Sequence, residues 1–420
     1  MNIDRKKKLI FLQIRRHVGE INFILPLIYL LQKKGYKIIS YFDSDETFNR
    51  LKKNVELFAI WKKINTKYFL QKKNDKIFYK IIFRIILSIS RVFRINVENL
   101  SLFKILKKKI YSLDKISRYY SLEHFKFFFI SDNNYSNLYL NFKEKNSKIK
   151  IIRFPHSQYI KFFFKNKFKK PYKQIQIGDI YLFRTLNDAI DIFGKNKINS
   201  LFAKKILICG NLMYKKWWLD KVFKKKTKKT KKTKKFQIVV ATRYWERGYF
   251  SKESFNYIIL SIMRLTSEFK DIKIIFKVHP SEKEKTYLLE LLSRFQRNKW
   301  SIEDNHLVNI GKSCDLGITL NTTACLDIVS IKKPCIEFWL NNKDINYNHM
   351  FKLGGKYQTN FQILKIVNNV NNFDELLKYI KLLRKKVYLN KITNIQYSNF
   401  MKANKNNVNL NRLTTKIINI

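Results

Sequence analysis

The hydrophobic positions of the chain form short apolar runs separated by stretches with helical spacing. Leu9–Ile14 is a nearly continuous apolar run, which indicates a buried strand, and Ile21–Leu31 repeats its apolar residues at helical intervals. Gly35 marks the end of that helix, and Tyr36–Phe42 is again extended. Strand, helix and strand in this order open a parallel α/β sheet, in which ligands bind at the carboxyl ends of the strands.

The alternation continues along the chain and divides into two sets of elements. The first set adds a helix at Asn137–Lys145 and the strands Phe125–Ser131, Ile149–Phe154, Ile180–Phe183 and Ile206–Cys209. The second set has helices at Ser254–Phe269, Glu282–Arg294 and Thr322–Ser330 and the strands Gln237–Ala241, Ile272–Val278, Asp315–Ile318 and Cys335–Phe338. Because each set has the spacing of a doubly wound sheet, we predict an α/β protein with two Rossmann-like domains facing a central cleft.

A lysine-rich segment separates the two sets. Lys224–Lys235 reads KKKTKKTKKTKK, and its like charges repel one another and stay solvated. We interpret it as a linker or exposed loop, with binding of acidic lipid or nucleic acid as the alternative. The predicted division is a first domain at 1–215, a linker at 216–235, a second domain at 236–373 and a helical tail at 374–420.

The stretch Lys76–Ile110 is basic and amphipathic. Its apolar residues recur at helical spacing, and they are Phe78, Ile81, Ile82, Ile85, Ile89, Val92 and Phe93. Lys80, Arg84 and Arg91 fall on the other face, and acidic residues are nearly absent. Such a helix lies either in a lipid interface or against a protein core with a solvated basic back.

Composition narrows the class of protein. The 420 residues are 45% hydrophobic and 15% aromatic, which excludes disorder over most of the length. Lys and Arg number 86 against 31 Asp and Glu, which gives a net charge of +55. This charge has two open explanations: AT-rich coding, or attraction to anionic membranes, nucleic acid or phosphorylated substrates.

The cysteines and the apolar runs indicate the cellular compartment of the protein. The four cysteines stand apart without a CxxC pair, so we expect neither a disulfide scaffold nor a zinc site. The N-terminal apolar stretch is too short for a signal peptide, and no run of about 18 uncharged apolar residues occurs. We expect a cytoplasmic protein, with peripheral attachment to the anionic inner face of the cell membrane left open.

Two turns of the second set can hold an anion. Residues 277–282 read KVHPSE and lie where a strand stops and a helix begins, so backbone N–H groups favour an anion there and His279 can donate to a phosphate oxygen. Pro280 fixes the turn, and Ser281, followed by Glu282, is a natural N-cap. An ordinary capped turn is the alternative.

The second turn comes about forty residues later, in the sequence CDLGITLNTTACLD. Asn321, Thr322 and Thr323 end a strand and begin a helix, and their N–H and O–H groups could hold a diphosphate without a metal. An N-capping threonine pair is the alternative.

Together these turns resemble the HP and serine/threonine motifs of the GT-B glycosyltransferases that build bacterial surface polysaccharide. Kdo transferases, bacterial sialyltransferases and capsule transferases are of this type, and CDP-glycerol polymerases have a similar pair. The resemblance covers Gln237–Asn341 best. It implies that His279 binds the donor phosphate and that Thr322 and Thr323 bind the phosphate or nucleotide of a CMP-sugar.

The N-terminal loop is similar to a second feature of these enzymes. Residues 16–20, RHVGE, resemble the Gly-Glu loop of Kdo transferases, which implies that Gly19 and Glu20 lie on the acceptor side and that Glu20 is the general base. A carboxylate at the mouth of a cleft can take the proton from an attacking hydroxyl. His17 is an alternative base, and Glu20 alternatively only favours the start of the first helix.

Two further residues are weaker candidates. Arg243 follows the strand Gln237–Ala241, where a guanidinium could offset the charge of a leaving group. His156 follows a strand of the first set and could face the acceptor or the donor. A structural role is the alternative for both side chains.

The resemblance implies transfer of a sugar from a nucleotide sugar, with a CMP-sugar preferred, to a surface polysaccharide such as capsule or lipopolysaccharide, or to a lipid-linked acceptor. We expect a metal-independent reaction without a cofactor. The alternatives are glycerol phosphate transfer from CDP-glycerol, a sugar-nucleotide epimerase, and a basic nucleic-acid-binding protein. No recognised RNA or DNA module is present, so we expect no specific nucleic-acid partner.

Overall fold

The structure is a computed structural model of the chain. It describes residues 8–15, 18–71, 77–92, 105–106, 113–131, 138–155, 178–193, 205–223, 235–243, 245, 250–279, 285–340, 351–353, 355–404 and 408–420. The lysine run therefore falls almost entirely outside the described residues.

The first sheet has seven parallel strands in the order β3-β2-β1-β4-β5-β6-β7. Their bounds are β1 Leu9–Ile14, β2 Lys37–Phe42, β3 Asn65–Leu70, β4 Phe125–Ser131, β5 Lys150–Phe154, β6 Ile180–Phe183 and β7 Ile206–Ile208. The strand order reverses between β1 and β4, which is the switch point at which open α/β sheets bind their ligands.

Helices cover both faces of this sheet. Their bounds are α1 Val18–Lys33, α2 Asp45–Lys53, α3 Val55–Ile64, α4 Ile77–Val92, α5 Asp114–Ser117, α6 Leu138–Lys145, α7 Leu186–Phe193 and α8 Lys216–Val222. Alternate residues of β1 point to opposite faces, so Ile10 packs in the core that contains α1, whereas Phe11 packs in the core that contains α6. Gly35 ends the first crossover with a φ of 87°, a left-handed conformation that glycine adopts readily.

The second sheet has six parallel strands in the order β10-β9-β8-β11-β12-β15. The bounds are β8 Phe236–Ala241, β9 Ile272–Lys277, β10 Trp300–Ile302, β11 Leu316–Thr319, β12 Cys335–Phe338 and β15 Asn368–Val370. A separate antiparallel hairpin joins β13 Phe351–Leu353 to β14 Lys356–Gln358. The order reverses between β8 and β11, so this sheet has its own switch point.

The helices of the second half again lie on two faces. Their bounds are α9 Lys252–Glu268, α10 Lys285–Leu292, α11 Leu307–Ser313, α12 Ala324–Ser330, α13 Asn360–Ile363, α14 Phe373–Leu383, α15 Lys386–Asn404 and α16 Leu410–Ile418. α9, α10 and α14 contribute to one core, whereas α11, α12 and α15 contribute to the other. The C-terminal α16 returns to the first half, where Leu410, Leu413 and Ile417 join the core around α1.

The architecture confirms the predicted fold class, because two parallel sheets are each covered by helices on both faces. Within the segment predicted as a linker, Lys216–Val222 is instead a helix, and its Trp218 and Val222 are buried in the first core. The domain bounds themselves stay a prediction.

The four cysteines are all buried, and none forms a disulfide. No helix in the described ranges is both long and apolar enough to cross a membrane.

Candidate functional site

The pairing of the second sheet brings several predicted site residues to one edge. In the strand register, Ala241 lies opposite Lys277 and Thr319, and Thr319 lies opposite Glu337. The residues that follow β9, β8 and β11 are therefore neighbours at the carboxyl edge of the sheet. Because β8 lies between β9 and β11, and neighbouring strands are about 4.8 Å apart, the turns at His279 and Asn321 start about 10 Å apart.

Arg243 and Asn321 are in direct contact. The Nη1 atom of Arg243 donates a hydrogen bond to the main-chain carbonyl of Asn321. Asn321 is nearly buried and has a φ of 43°, a left-handed conformation that asparagine tolerates better than most residues. The contact fixes the guanidinium across the turn that follows β11, so two residues singled out by sequence meet at this edge.

Glu337 on β12 also lies at this edge, and the sequence analysis did not single it out. It is fully buried, and its Oε2 atom accepts hydrogen bonds from Thr359 Oγ1 at 2.5 Å and Gln362 Nε2 at 2.7 Å. Its Oε1 atom accepts no hydrogen bond from the described residues. Burial raises the pKa of Glu337 to about 7, while these two donors and the charge of Arg243 act in the opposite direction. We name Arg243, Asn321 and Glu337 the edge cluster.

The two donors to Glu337 are held by the start of α13. Thr359 caps that helix, and Gln362 completes a capping box with it. Gln362 also donates to Asn369 Oδ1 at 2.9 Å, and Asn369 Nδ2 donates to Asn371 Oδ1 at 2.8 Å. The carboxyl group of Glu337 is therefore positioned by a chain of amide side chains rather than by solvent.

The threonines of the second predicted turn lie beside this cluster. Thr322 and Thr323 are half-buried, and Thr322 Oγ1 accepts a hydrogen bond from the Ala324 N–H at 3.4 Å. Thr323 stands at the N-cap of α12 without a side-chain capping bond. The binding role and the capping role of this threonine pair therefore both stay predictions.

His279 is half-buried and comes two residues after β9. The side chain of Lys277 donates to the main-chain carbonyl of Asp304 at 2.9 Å, which ties the end of β9 to the loop after β10. Pro280, Ser281 and Glu282 lie outside the described residues, so their predicted roles stay predictions. The helix predicted from Glu282 is described from Lys285 onward.

The first sheet places Glu20 at its own switch point. Glu20 lies in the first turn of α1, is 2% exposed, and accepts a hydrogen bond from the main-chain N–H of Arg15 at 2.9 Å. Gly19 is half-buried beside it in the same turn. His17 and His156 lie outside the described residues.

The two halves contact each other next to the carboxyl edge of the second sheet. Glu56 at the start of α3 accepts hydrogen bonds from the main-chain N–H of His306, at 3.2 Å, and from the Asn309 side chain. Burial and the nearby charge of Lys277 lower the pKa of His306 to about 3, so its imidazole is neutral. His306 uses Nδ1 to cap α11 and is therefore a structural residue at this junction.

In the described part of the chain, no three His, Cys, Asp or Glu side chains are grouped as a metal site requires. Metal independence of the reaction stays a prediction.

Comparison with known proteins identifies the fold but no closer relationship. No family model and no curated protein matches the chain. Among solved structures, UDP-GlcNAc 2-epimerase from Neisseria meningitidis bound to UDP-GlcNAc is similar at a TM-score of 0.57 and 12% identity, over 98% of this chain and 100% of that one.

Two other solved structures are similar over their whole length. S. aureus MnaA in a co-structure with UDP has a TM-score of 0.54 and 11% identity, with 98% of both chains covered. Anabaena HepE in complex with UDP-glucose has a TM-score of 0.51 and 8% identity, again over 98% of both chains. At these identities the likeness establishes the fold alone, and that fold is the GT-B-like class predicted from the sequence.

Proposed function

We propose that the protein is a glycosyltransferase that moves a sugar from a nucleotide sugar to a surface polysaccharide or lipid-linked acceptor. The observation that carries the proposal is the edge cluster, in which a guanidinium, a left-handed turn and a buried carboxyl group meet where α/β sheets bind ligands. UDP or a UDP-sugar accompanies the three solved structures of this fold, which supports a nucleotide sugar as the donor.

In the proposed reaction, the acceptor hydroxyl attacks the anomeric carbon while Glu20 takes its proton. The bond between that carbon and the phosphate oxygen breaks, and the nucleotide leaves with the electron pair. Arg243 and His279 stabilise the phosphate charge, and Thr322 and Thr323 donate to its oxygens. These side chains supply the stabilisation without a metal ion or cofactor.

The donor class can be tested by thermal unfolding in the presence of nucleotides. We propose a CMP-sugar, so CMP should raise the unfolding midpoint by a few degrees, with smaller effects of CDP, UDP and GDP. A preference for UDP would replace the proposed base and leave the proposal of a nucleotide sugar intact. No stabilisation by any nucleotide or nucleotide sugar would contradict it.

Substitution of His279 tests the site itself. His279→Ala should abolish most of the nucleotide-induced stabilisation and lower the transfer rate. His124→Ala is the matched control, because His124 is also half-buried but precedes the amino end of β4. Full transfer and unchanged nucleotide affinity in His279→Ala would remove His279 from the site.

Epimerisation of a UDP-sugar is the second candidate, because a solved structure of this fold is a UDP-GlcNAc 2-epimerase. The two activities are separated by incubating the protein with UDP-GlcNAc alone and following the sugar by NMR. Conversion at C2 without an acceptor identifies an epimerase. Turnover that requires an added glycan acceptor identifies a transferase.

A further inference from the structure

Helix α4 exposes a regular apolar stripe. Ile81, Ile85 and Ile89 are 50%, 52% and 48% exposed, although isoleucine is among the residues most often buried in folded proteins. Residues four apart share one face of a helix, and the rise of about 1.5 Å per residue gives a stripe about 12 Å long. We name these three residues the isoleucine stripe.

Two neighbouring isoleucines of α4 are less exposed than the stripe. Ile82 and Ile86 are half-buried on the adjacent face. The stripe itself faces outward rather than onto a core.

The charge of the helix indicates what can cover the stripe. Residues 77–92 read IFYKIIFRIILSISRV and contain no acidic side chain. Arg84 is exposed and, three residues after Ile81, lies at the flank of the stripe; the whole chain carries a net charge of +55. Basic residues beside an exposed apolar stripe complement an anionic lipid surface, where the apolar side chains enter the acyl boundary and the cations meet the headgroups.

We propose that α4 is a docking surface for an anionic lipid bilayer. Ile81, Ile85 and Ile89 enter the interface, and Arg84 contacts lipid phosphates. The helix lies along the surface without crossing it, consistent with its short apolar length. The proposal stands on this surface alone and does not require sugar transfer, although a lipid-linked acceptor would be presented at such a surface.

Insertion can be measured with a fluorophore at a single position. Ile85→Cys can be labelled selectively with NBD, because all four native cysteines are buried and burial raises the pKa of each thiol. With phosphatidylglycerol-containing vesicles, the emission of the label should increase about twofold or more and shift to the blue as it leaves water. With pure phosphatidylcholine vesicles, we expect little change.

Val387→Cys is the matched control for this measurement. Val387 is 77% exposed on α15, so its label should stay in water when the protein binds vesicles. The proposal is wrong if the label at position 85 stays in water while the protein sediments with the vesicles, because binding would then be electrostatic adsorption through another surface.

A charge-neutral substitution tests the energetic contribution of the stripe. The triple variant Ile81→Ser, Ile85→Ser and Ile89→Ser keeps every charge but removes the apolar side chains. Its apparent affinity for anionic vesicles should fall about tenfold or more, while Val387→Ser and Ile395→Ser together should cause no comparable loss. Unfolding midpoints close to wild type would show that the variants remain folded.

Two results would overturn the proposal. Unchanged vesicle affinity of the triple variant would show that the stripe does not insert. A concentration-dependent dimer in sedimentation velocity that the triple variant abolishes would assign the stripe to a contact between two copies of the chain. Transfer to a water-soluble acceptor should be unaffected by the triple substitution, so failure of that transfer in wild type counts against the proposed function and not against membrane docking.

Discussion

At the scale of single residues, Glu337 has an environment that makes stability depend on pH. Its pKa in the folded protein is raised to about 7 by burial, whereas the ordinary value is 4.5. As the pH rises from about 4.5 to 7, the unfolded chain loses this proton more readily than the folded chain does. The contribution of Glu337 to folding therefore becomes less favourable over that range.

Glu337→Gln should remove this dependence, because glutamine has the same shape and does not titrate. Relative to wild type, the free energy of unfolding of the variant should increase between pH 5 and pH 8 by up to about 3 kcal/mol. Urea unfolding of both proteins at the two pH values measures the difference. If the free energies of unfolding of variant and wild type differ by the same amount at both pH values, Glu337 has its ordinary pKa in the folded protein.

Substitution of Arg243 should lower the catalytic efficiency of the proposed transfer reaction. Arg243→Ala should lower kcat/KM for the nucleotide sugar roughly 100-fold, because it removes the cation proposed to stabilise the leaving phosphate. Arg264→Ala is the matched control, since Arg264 is an exposed arginine on α9 with a solvent-screened partner in Glu268. Equal activity of the two variants would place the donor phosphate elsewhere.

The proximity of these residues could be predicted only in part. The sequence placed Arg243 and Asn321 after strands, and the general rule for parallel sheets placed both at a carboxyl edge. Their contact depends on β8 and β11 being neighbours, which the order of strands in the chain does not determine. The sequence does contain a sign that Glu337 is special, because a carboxylate inside the short apolar strand CIEF is unusual.

At the scale of elements, the central strands of the two described sheets were predictable, whereas of their four edge strands β7 was predicted and β3, β10 and β15 were missed. β4, β6 and β12 have the predicted bounds, because they are apolar and buried along their length. The missed strands include β3, with the sequence NTKYFL, and β15, with the sequence NNV, which lie at sheet edges and are partly exposed. β3 and β15 carry polar residues, as exposed edge strands commonly do, so the hydrophobic pattern does not reveal them.

The contact between β11 and α12 positions the turn at Asn321 and gives an element-scale prediction. A Cβ added to Gly317 on β11 would come within 2.7 Å of Ile328 Cγ2 on α12. Gly317→Ala should therefore lower the free energy of unfolding by about 1–3 kcal/mol through overpacking. Chemical denaturation measures the change.

The partner substitution is the control for this prediction. Ile328→Ala removes the atoms that would clash, so the cost of Gly317→Ala should largely disappear in that background. Additive costs in the double variant would mean that α12 does not pack this closely on β11.

At the scale of the whole molecule, the two halves are joined through buried polar contacts. Tyr214, just before α8, donates to Asp327 Oδ1 on α12 at 3.0 Å, and Asn211 donates to Asn404 at the end of α15. α16 then returns to the core of the first half. The chain therefore crosses between the halves twice, and buried side-chain hydrogen bonds link the halves next to these crossings.

Tyr214→Phe tests whether this junction contributes to the stability of the whole chain. Burial raises the pKa of Asp327 to about 7, and the hydrogen bond from Tyr214 opposes that rise. Without the hydroxyl, the folded-state pKa of Asp327 moves further above its unfolded value, so the loss of stability should be larger at pH 8.5 than at pH 5. We expect a loss of about 1–3 kcal/mol at pH 8.5, measured by urea unfolding. In an Asp327→Asn background the pH dependence of that loss should vanish, and its persistence there would assign the effect to another titrating group.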